Sequence, residues 1–302
     1  MKKYICLDIG GTMIKYGVID ESECFVTVGE RPTEAWKGGK SIEEKVLAIA
    51  GRLREKYGAE GVCISTAGMV DPDNGEIFYA SDLIPGYMGI NLKKSVEKNM
   101  KIPCEVENDV NCAGLAEAVS GAGKDRNLVV CLTVGTGIGG AFIQNGKIYR
   151  GGSGSAGEAG YMWTARGIFQ DQGSARTLSE KVSEEKKDGE WDGKKIFDAA
   201  ENGDRICIDA IDGMCDVLGS GIANICYILN PEMVVLGGGI TARRDMLEAR
   251  INRAVRRYLL PVIADQTKIS FAQHGNNAGM LGAYYNFRNN GRYIRRTSWR
   301  YL

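Results

Sequence analysis

Apolar residues in this chain gather into short β-type runs that end on glycine-rich turns, with stretches of helical spacing between them. Two of the runs resemble each other. Ile5-Cys6-Leu7-Asp8-Ile9 passes through Gly10-Gly11-Thr12 into Lys15-Tyr16-Gly17-Val18-Ile19. Val130-Cys131-Leu132-Thr133-Val134 passes through Gly135-Thr136-Gly137 into Gly140-Ala141-Phe142-Ile143. Each predicts a hairpin with a glycine-lined bend. Set in register, Asp8 falls opposite Thr133 and Gly10 opposite Gly135, a spacing of about 125 residues that predicts two related lobes rather than a solenoid.

Between the hairpins, Ile42 to Lys56 has helical spacing and precedes a buried-type strand from Gly61 to Ser65. Pro72-Asp73-Asn74-Gly75 marks a turn, Ile90 to Lys98 a helix, and Cys104 to Glu107 a strand that runs into Asn108-Asp109. Asn111 to Ser120 reads as a helix, for which Asp109 is a candidate N-cap. Residues 184–204 are charged with weak periodicity. Ile206 to Leu229 is a long helix ended by Asn230-Pro231, and Met233 to Leu236 a short buried strand delivering Gly237-Gly238-Gly239. Strands alternating with helices give an α/β class.

Composition narrows the function classes. Lys+Arg and Asp+Glu are both 38, so the net charge of zero predicts neither a nucleic-acid nor a membrane partner. The opening apolar run is too short for a signal-peptide core, and no stretch approaches the ~20 apolar residues of a membrane helix. Nine cysteines stand singly, without C-x-x-C spacing, which predicts a reduced, cytoplasmic protein.

The glycines carry the chemistry. Three glycine-rich turns follow strands, and backbone N–H groups reach an anion closely where side chains are absent. Gly135-Thr136-Gly137-Ile138-Gly139-Gly140 spells G-x-G-x-x-G, but a strand, not a helix, is predicted after it, which argues against a dinucleotide fold. No G-x-x-x-x-G-K-[ST] is present. Asp8, just before Gly10-Gly11-Thr12, suits a phosphate site in which the carboxylate holds Mg²⁺, directly or through water.

Taken in order, Asp8-Ile9-Gly10-Gly11-Thr12, Glu107-Asn108-Asp109-x-Asn111, Gly135-Thr136-Gly137-Ile138-Gly139-Gly140, Ala156-Gly157-Glu158-x-Gly160 and Asn230-Pro231-Glu232-x-x-x-Leu236-Gly237-Gly238-Gly239 resemble the signature set of ROK sugar kinases. The resemblance runs from residue 5 to about 285 and implies a two-lobed actin-like ATPase (ribonuclease H-like) fold with a central cleft. It implies a smaller N-terminal lobe over residues 1–115, a larger lobe over 116–275, a helix at about 276–290 packing back on the first lobe, and a flexible basic tail over 291–302. A homodimer, with ATP, Mg²⁺ and a sugar as ligands, is the family expectation.

Roles follow position by position from the same resemblance. Gly10, Gly11, Thr12, Gly135, Thr136 and Gly137 would meet the nucleotide phosphates, with Asp8 near Mg²⁺ and Gly238 and Gly239 against the adenosine. Asn108, Gly68 and Glu158 would bind the sugar, and Asp109 would act as general base on its hydroxyl. Lobe closure would exclude water.

The chain also departs from the family pattern. Tyr161 stands where most members have His, and residues 159–206 contain no Cys or His, so zinc is expected to be absent. His274, the chain's only histidine, reads as structural or exposed. Met162, Trp163 and Phe169 are expected to supply apolar packing in the metal's place. The family's second sugar-binding Glu falls at Gln170, which with Tyr161 would shape the anomeric side of the site. The zinc-free pattern resembles the β-glucoside kinase and N-acetylmannosamine kinase branches.

The reading is an ATP-dependent kinase acting on the 6-hydroxyl of glucose or of a β-glucoside. An N-acetylmannosamine kinase or fructokinase is the alternative within the family, and a non-catalytic sugar-binding or ROK-type regulatory protein is the alternative outside it. Regulators of this type carry an N-terminal winged-helix segment, for which no room precedes Asp8 in this sequence.

Overall fold

The computed structural model describes residues 1–290; the basic tail expected over 291–302 lies outside the described residues. Contacts divide the chain into two compact units. Among the described residues, the first holds Met1–Ala116, Arg150–Ser155 and 276–290, and the second holds Glu117–Tyr149 and Ala156–Gly275.

The first unit is built on strands β1 (Lys3–Ile9), β2 (Met13–Asp20), β3 (Phe25–Pro32) and β4 (Gly61–Thr66), with the short pair β5 (Met69–Val70) and β6 (Ile77–Tyr79), and β7 (Cys104–Asn108). Its main sheet has the order β3-β2-β1-β4-β7. The antiparallel β1–β2 hairpin comes first, and parallel β4 and β7 are added beyond it. Helices α1 (Gly39–Tyr57), α2 (Leu92–Met100) and α3 (Asp109–Ser120) connect the strands. In α1 the buried residues Ile42, Val46, Ile49, Ala50 and Leu53 recur at helical spacing, and the helix stops where Gly58 turns left-handed at φ 66°.

The second unit repeats this plan. Strands β8 (Leu128–Val134), β9 (Ile138–Gln144), β10 (Lys147–Ile148), the small hairpin β11 (Trp163–Thr164) with β12 (Gly167–Ile168), β13 (Met233–Gly237) and β14 (Lys268–Phe271) give a main sheet in the order β10-β9-β8-β13-β14. Strand directions match as well: an antiparallel hairpin, then two parallel additions. Asp8 pairs with Lys15 across its hairpin and Thr133 with Gly139 across the other. The repeat legible in the sequence is therefore a repeat of topology.

Helices α4 (Phe169–Gly173), α5 (Ala175–Lys186), α6 (Gly193–Glu201), α7 (Arg205–Leu229), α8 (Arg244–Tyr258) and α9 (Pro261–Ala264) cover this unit. Asp204 caps α7 by accepting from Cys207 N at 3.1 Å. Gly219 lets α8 approach α7 closely, since a Cβ there would lie 2.5 Å from the Cβ of Ala254. Helix α10 (Ala278–Asn289) belongs to the first unit and packs on β1, β4 and β7. A Cβ at its Gly282 would lie 1.7 Å from the Cys112 carbonyl oxygen, so only glycine fits there.

Two sequence expectations are corrected. The weakly periodic stretch 184–204 contains α6, which Asp192 caps and which buries Ile196, Phe197 and Ala200 among polar neighbours. Three apolar residues in a charged segment form too narrow a stripe to stand out. Trp163 was expected to pack inward, yet it sits on a two-residue strand with 78% of its surface exposed. Phe169 does pack, fully buried against α7 where Gly221 leaves room for its ring.

Candidate active site

In the first unit, the Gly10-Gly11-Thr12 turn closes on itself through Gly10 N donating to Met13 O at 3.0 Å. Buried Thr33 braces it from below: its Oγ1 donates to Gly10 O at 2.7 Å and its N to Thr12 O at 2.8 Å. Gly11 and Thr12 remain exposed to solvent. Thr33 lies outside the turn and no local pattern marked it.

Asp8, at the end of β1, is half-buried, and Ser65 Oγ donates to its Oδ1 at 2.6 Å. Burial raises the Asp8 pKa above the ordinary carboxylate value, partly offset by Ser65 and Lys15.

Asp109 opens α3. Its Oδ1 accepts from Val110 N at 2.9 Å and from Asn108 Nδ2 at 3.0 Å, while Oδ2 accepts no hydrogen bond among the described residues. Burial first, and the nearby Asp8 charge second, push the Asp109 pKa up to about 7. The main helix cap is Asn108, whose Oδ1 accepts from Val110 N and Asn111 N at 2.9 and 3.0 Å. Its Nδ2 donates to Gly68 O and Asp109 Oδ1, both at 3.0 Å. All four hydrogen-bonding positions of the Asn108 amide are thus filled, and they orient Asp109.

Beneath this pair lies Glu107, 2% exposed. Its Oε1 accepts from Asn108 N and Asn111 Nδ2, and its Oε2 takes Arg150 Nε and Nη2 at 2.9 and 2.7 Å. Arg150 Nη2 also donates to Asn286 Oδ1 at 2.9 Å, tying residues 150–155 to α10. On another side, buried Tyr87 bonds Thr66 Oγ1 at 2.5 Å, and burial and the Asp109 charge hold its phenol protonated. No local pattern marks Arg150, because its partner lies 43 residues away.

In the second unit, Gly135 N donates to Gly137 O at 2.9 Å and Ala175 N to Gly135 O at 2.9 Å, which fixes the second glycine turn. Gly238, at φ 84°, lies against it: a Cβ there would be 2.5 Å from Val134 O, so the Gly238-Gly239 turn must be bare. The Ala156–Gly160 loop packs directly on β9, where a Cβ on Gly157 would fall 2.5 Å from Gly140 O and one on Gly160 2.1 Å from Ile138 O. Glu158 reaches solvent from this loop with no side-chain cap bond, although the protein around its carboxyl raises its pKa. Tyr161 is 52% exposed. Gln170 Oε1 stands between the two glycine segments, 2.9 Å from where a Cβ of Gly137 or of Gly160 would be.

His274 is half-buried, its Nε2 2.9 Å from Ser120 Oγ, and its backbone N donates to buried Glu117. Among the described residues, no group of three or more His, Cys, Asp or Glu side chains is placed to hold a metal ion. Metal analysis of purified protein is expected to find zinc well below one equivalent, and a stoichiometric content would overturn that expectation. No helix among the described residues is long and apolar enough to cross a membrane.

The sequence model of the ROK family matches residues 4–290. A β-glucoside kinase from Listeria innocua is 32% identical over 297 residues, covering 94% of this chain and 97% of the relative. A glucokinase from Halalkalibacterium halodurans is 31% identical over 308 residues, covering 92% of this chain and 93% of the relative. Among solved structures, a ROK family glucokinase from Streptomyces griseus, in complex with glucose and AMPPNP, superposes with a TM-score of 0.80 at 28% identity, covering 93% of this chain and 97% of that one. The two-sheet α/β architecture is thus that of the actin-like ATPase-fold sugar kinases.

Proposed function

The chain belongs to the ROK family, and from that premise we propose that it is an ATP-dependent sugar kinase with Asp109 as its general base. The carrying observation is the state of Asp109. One oxygen is fixed by Val110 N and Asn108, the other is unbonded, and the pKa is pushed up to about 7, close to the working pH of a base. A carboxylate held in this way can take the proton of a sugar hydroxyl as the new O–P bond forms and the γ-phosphorus–oxygen bond to ADP breaks. Oriented placement of the hydroxyl supplies the rest of the rate.

The other residues divide by unit. The first unit carries Asp8, the Gly10–Thr12 turn, Asn108 and Gly68; the second carries Gly135–Gly137, Gly238, Gly239, Glu158, Tyr161 and Gln170. Exposed Glu158 and Tyr161 are suited to ring hydroxyls, and the bare turns to phosphate oxygens. Gln170, seated between the Gly137 and Gly160 segments, would couple sugar recognition to the second phosphate turn.

The Asp8 region fits a magnesium ion brought with the nucleotide. A hard cation of this kind uses one or two carboxylates and keeps waters and phosphate oxygens for its remaining positions. Asp8 offers one such carboxylate, beside an open glycine turn. When bound, the ion would neutralise charge on the β- and γ-phosphates.

The names of the relatives favour glucose or a β-glucoside as acceptor, and the 6-hydroxyl is the position proposed for transfer. The test is ADP release from Mg-ATP against glucose, mannose, fructose, N-acetylmannosamine, N-acetylglucosamine, cellobiose and gentiobiose. Turnover is expected on glucose or on a β-glucoside. Turnover on N-acetylmannosamine or fructose alone would move the protein to another branch, and none on any sugar, with ATP bound, would leave a binding or regulatory role.

A further inference from the structure

Strand β4 is buried at every position, an apolar run in which a hydroxyl needs a reason. Ser65, with no exposed surface, is the parallel register partner of Asp8, and its Oγ donates to Asp8 Oδ1 at 2.6 Å, a short charge-assisted bond. From another direction α10 presses its backbone on the same carboxylate. A Cβ at Gly279 would fall 2.4 Å from Oδ1 and 2.7 Å from Oδ2. Asp8 Oδ2 accepts no hydrogen bond among the described residues. The corresponding place in the other sheet pairs Thr133 with Gly237, so the hydroxyl–carboxylate pair is not a by-product of the repeated topology.

We infer that Ser65 is a positioning residue, which, with Gly279 as a backstop, commits Asp8 Oδ1 and presents Oδ2 to the nucleotide-bound cation. This rests on the kinase reading above. A small octahedral cation at ~2.0–2.1 Å from its ligands tolerates little movement of the carboxylate, so a fixed Asp8 binds it better than a swinging one.

The experiment titrates Mn²⁺ as a spin probe into the protein with AMPPNP and reads free Mn²⁺ by electron paramagnetic resonance. It compares wild type, Ser65→Ala, Gly279→Ala and Asp8→Asn. Loss of one charge-assisted bond is expected to weaken Mn²⁺ by about 10-fold in Ser65→Ala. The loss in Gly279→Ala should be at least as large, because its methyl displaces the carboxylate. In Ser65→Ala, metal-free AMPPNP affinity should stay within about 2-fold and Tm within about 2 °C of wild type. If Asp8→Asn loses Mn²⁺ while Ser65→Ala holds it as wild type does, the positioning role is wrong and the kinase reading stands. If Asp8→Asn also holds Mn²⁺ normally, the placement of Asp8 at the cation fails and takes the inference with it. A parallel fall in Tm and metal-free AMPPNP affinity in Ser65→Ala would make Ser65 merely structural. Failure of wild type to bind AMPPNP would count against the kinase reading itself.

Discussion

Asp109→Asn is expected to slow sugar phosphorylation by ~10²–10⁴-fold and at the same time to raise the melting temperature. The amide keeps the shape and the bond from Val110 N but cannot take a proton. The stability gain follows from the carboxyl's pKa, pushed up from 3.8 to about 7 in the folded protein. A raised acid binds its proton more tightly when folded, so the unfolded chain ionises first. Stability of the wild type therefore falls as pH rises from about 4 to about 7 and is level above that. An amide escapes this loss, so its Tm advantage should be small near pH 4 and fully developed by pH 8. At ~1.4 kcal/mol per pKa unit the ceiling is about 4 kcal/mol, and water reaching the half-buried carboxyl lowers it to a gain of several degrees. In the wild type, kcat/KM should drop about tenfold per pH unit below about 7, as the base becomes protonated. A profile flat between pH 5 and 8, or a variant with wild-type turnover, would remove Asp109 from the base role.

Glu107→Ala should destabilise the first unit by about 3–5 kcal/mol, a Tm loss on the order of 10 °C. Removal of this 2%-exposed carboxylate strands the Arg150 guanidinium, the Asn111 amide and the Asn108 backbone N–H together. It also loosens Asn108, the residue that orients Asp109, so kcat should fall even in the folded fraction. Desolvation weighs against a buried ion pair as much as attraction favours it. Replacing both partners, as Glu107→Leu with Arg150→Met, should accordingly cost less than Glu107→Ala alone. Thermal melts of the single and double variants decide it. A loss below about 1 kcal/mol in Glu107→Ala would show that the pair is better hydrated than its burial indicates.

Glu107 also shows where reading the chain runs out. It was visible as part of a motif beside Asn108 and Asp109, but a motif gives neither partner nor depth. The family resemblance makes Asp109 the general base, while the local sequence alone makes it a candidate cap of α3. The fold gives that task to Asn108 and leaves one Asp109 oxygen unbonded. Gln170 read as a sugar contact, and its oxygen lies against the backbone of Gly137 and Gly160. Phe169 and Trp163 are alike in sequence hydrophobicity. Phe169, at the first position of α4, fills the notch at Gly221, whereas Trp163, on β11, faces solvent.

By itself the sequence determined the α/β class, the doubled hairpin plan and the family. Those properties are written in local periodicity and in glycines that backbone geometry requires, such as Gly238 at φ 84°. It also placed Asp8 beside a bare turn and Asp109 where a strand runs out. Tertiary structure alone decided which groups surround them. Ser65 reaches Asp8 across 57 residues, Arg150 reaches Glu107 across 43, and Asn286 reaches Arg150 across 136. Hydrogen bonds and desolvation act through space at about 3 Å, and a chain read in order carries no record of which distant residues will arrive at that distance.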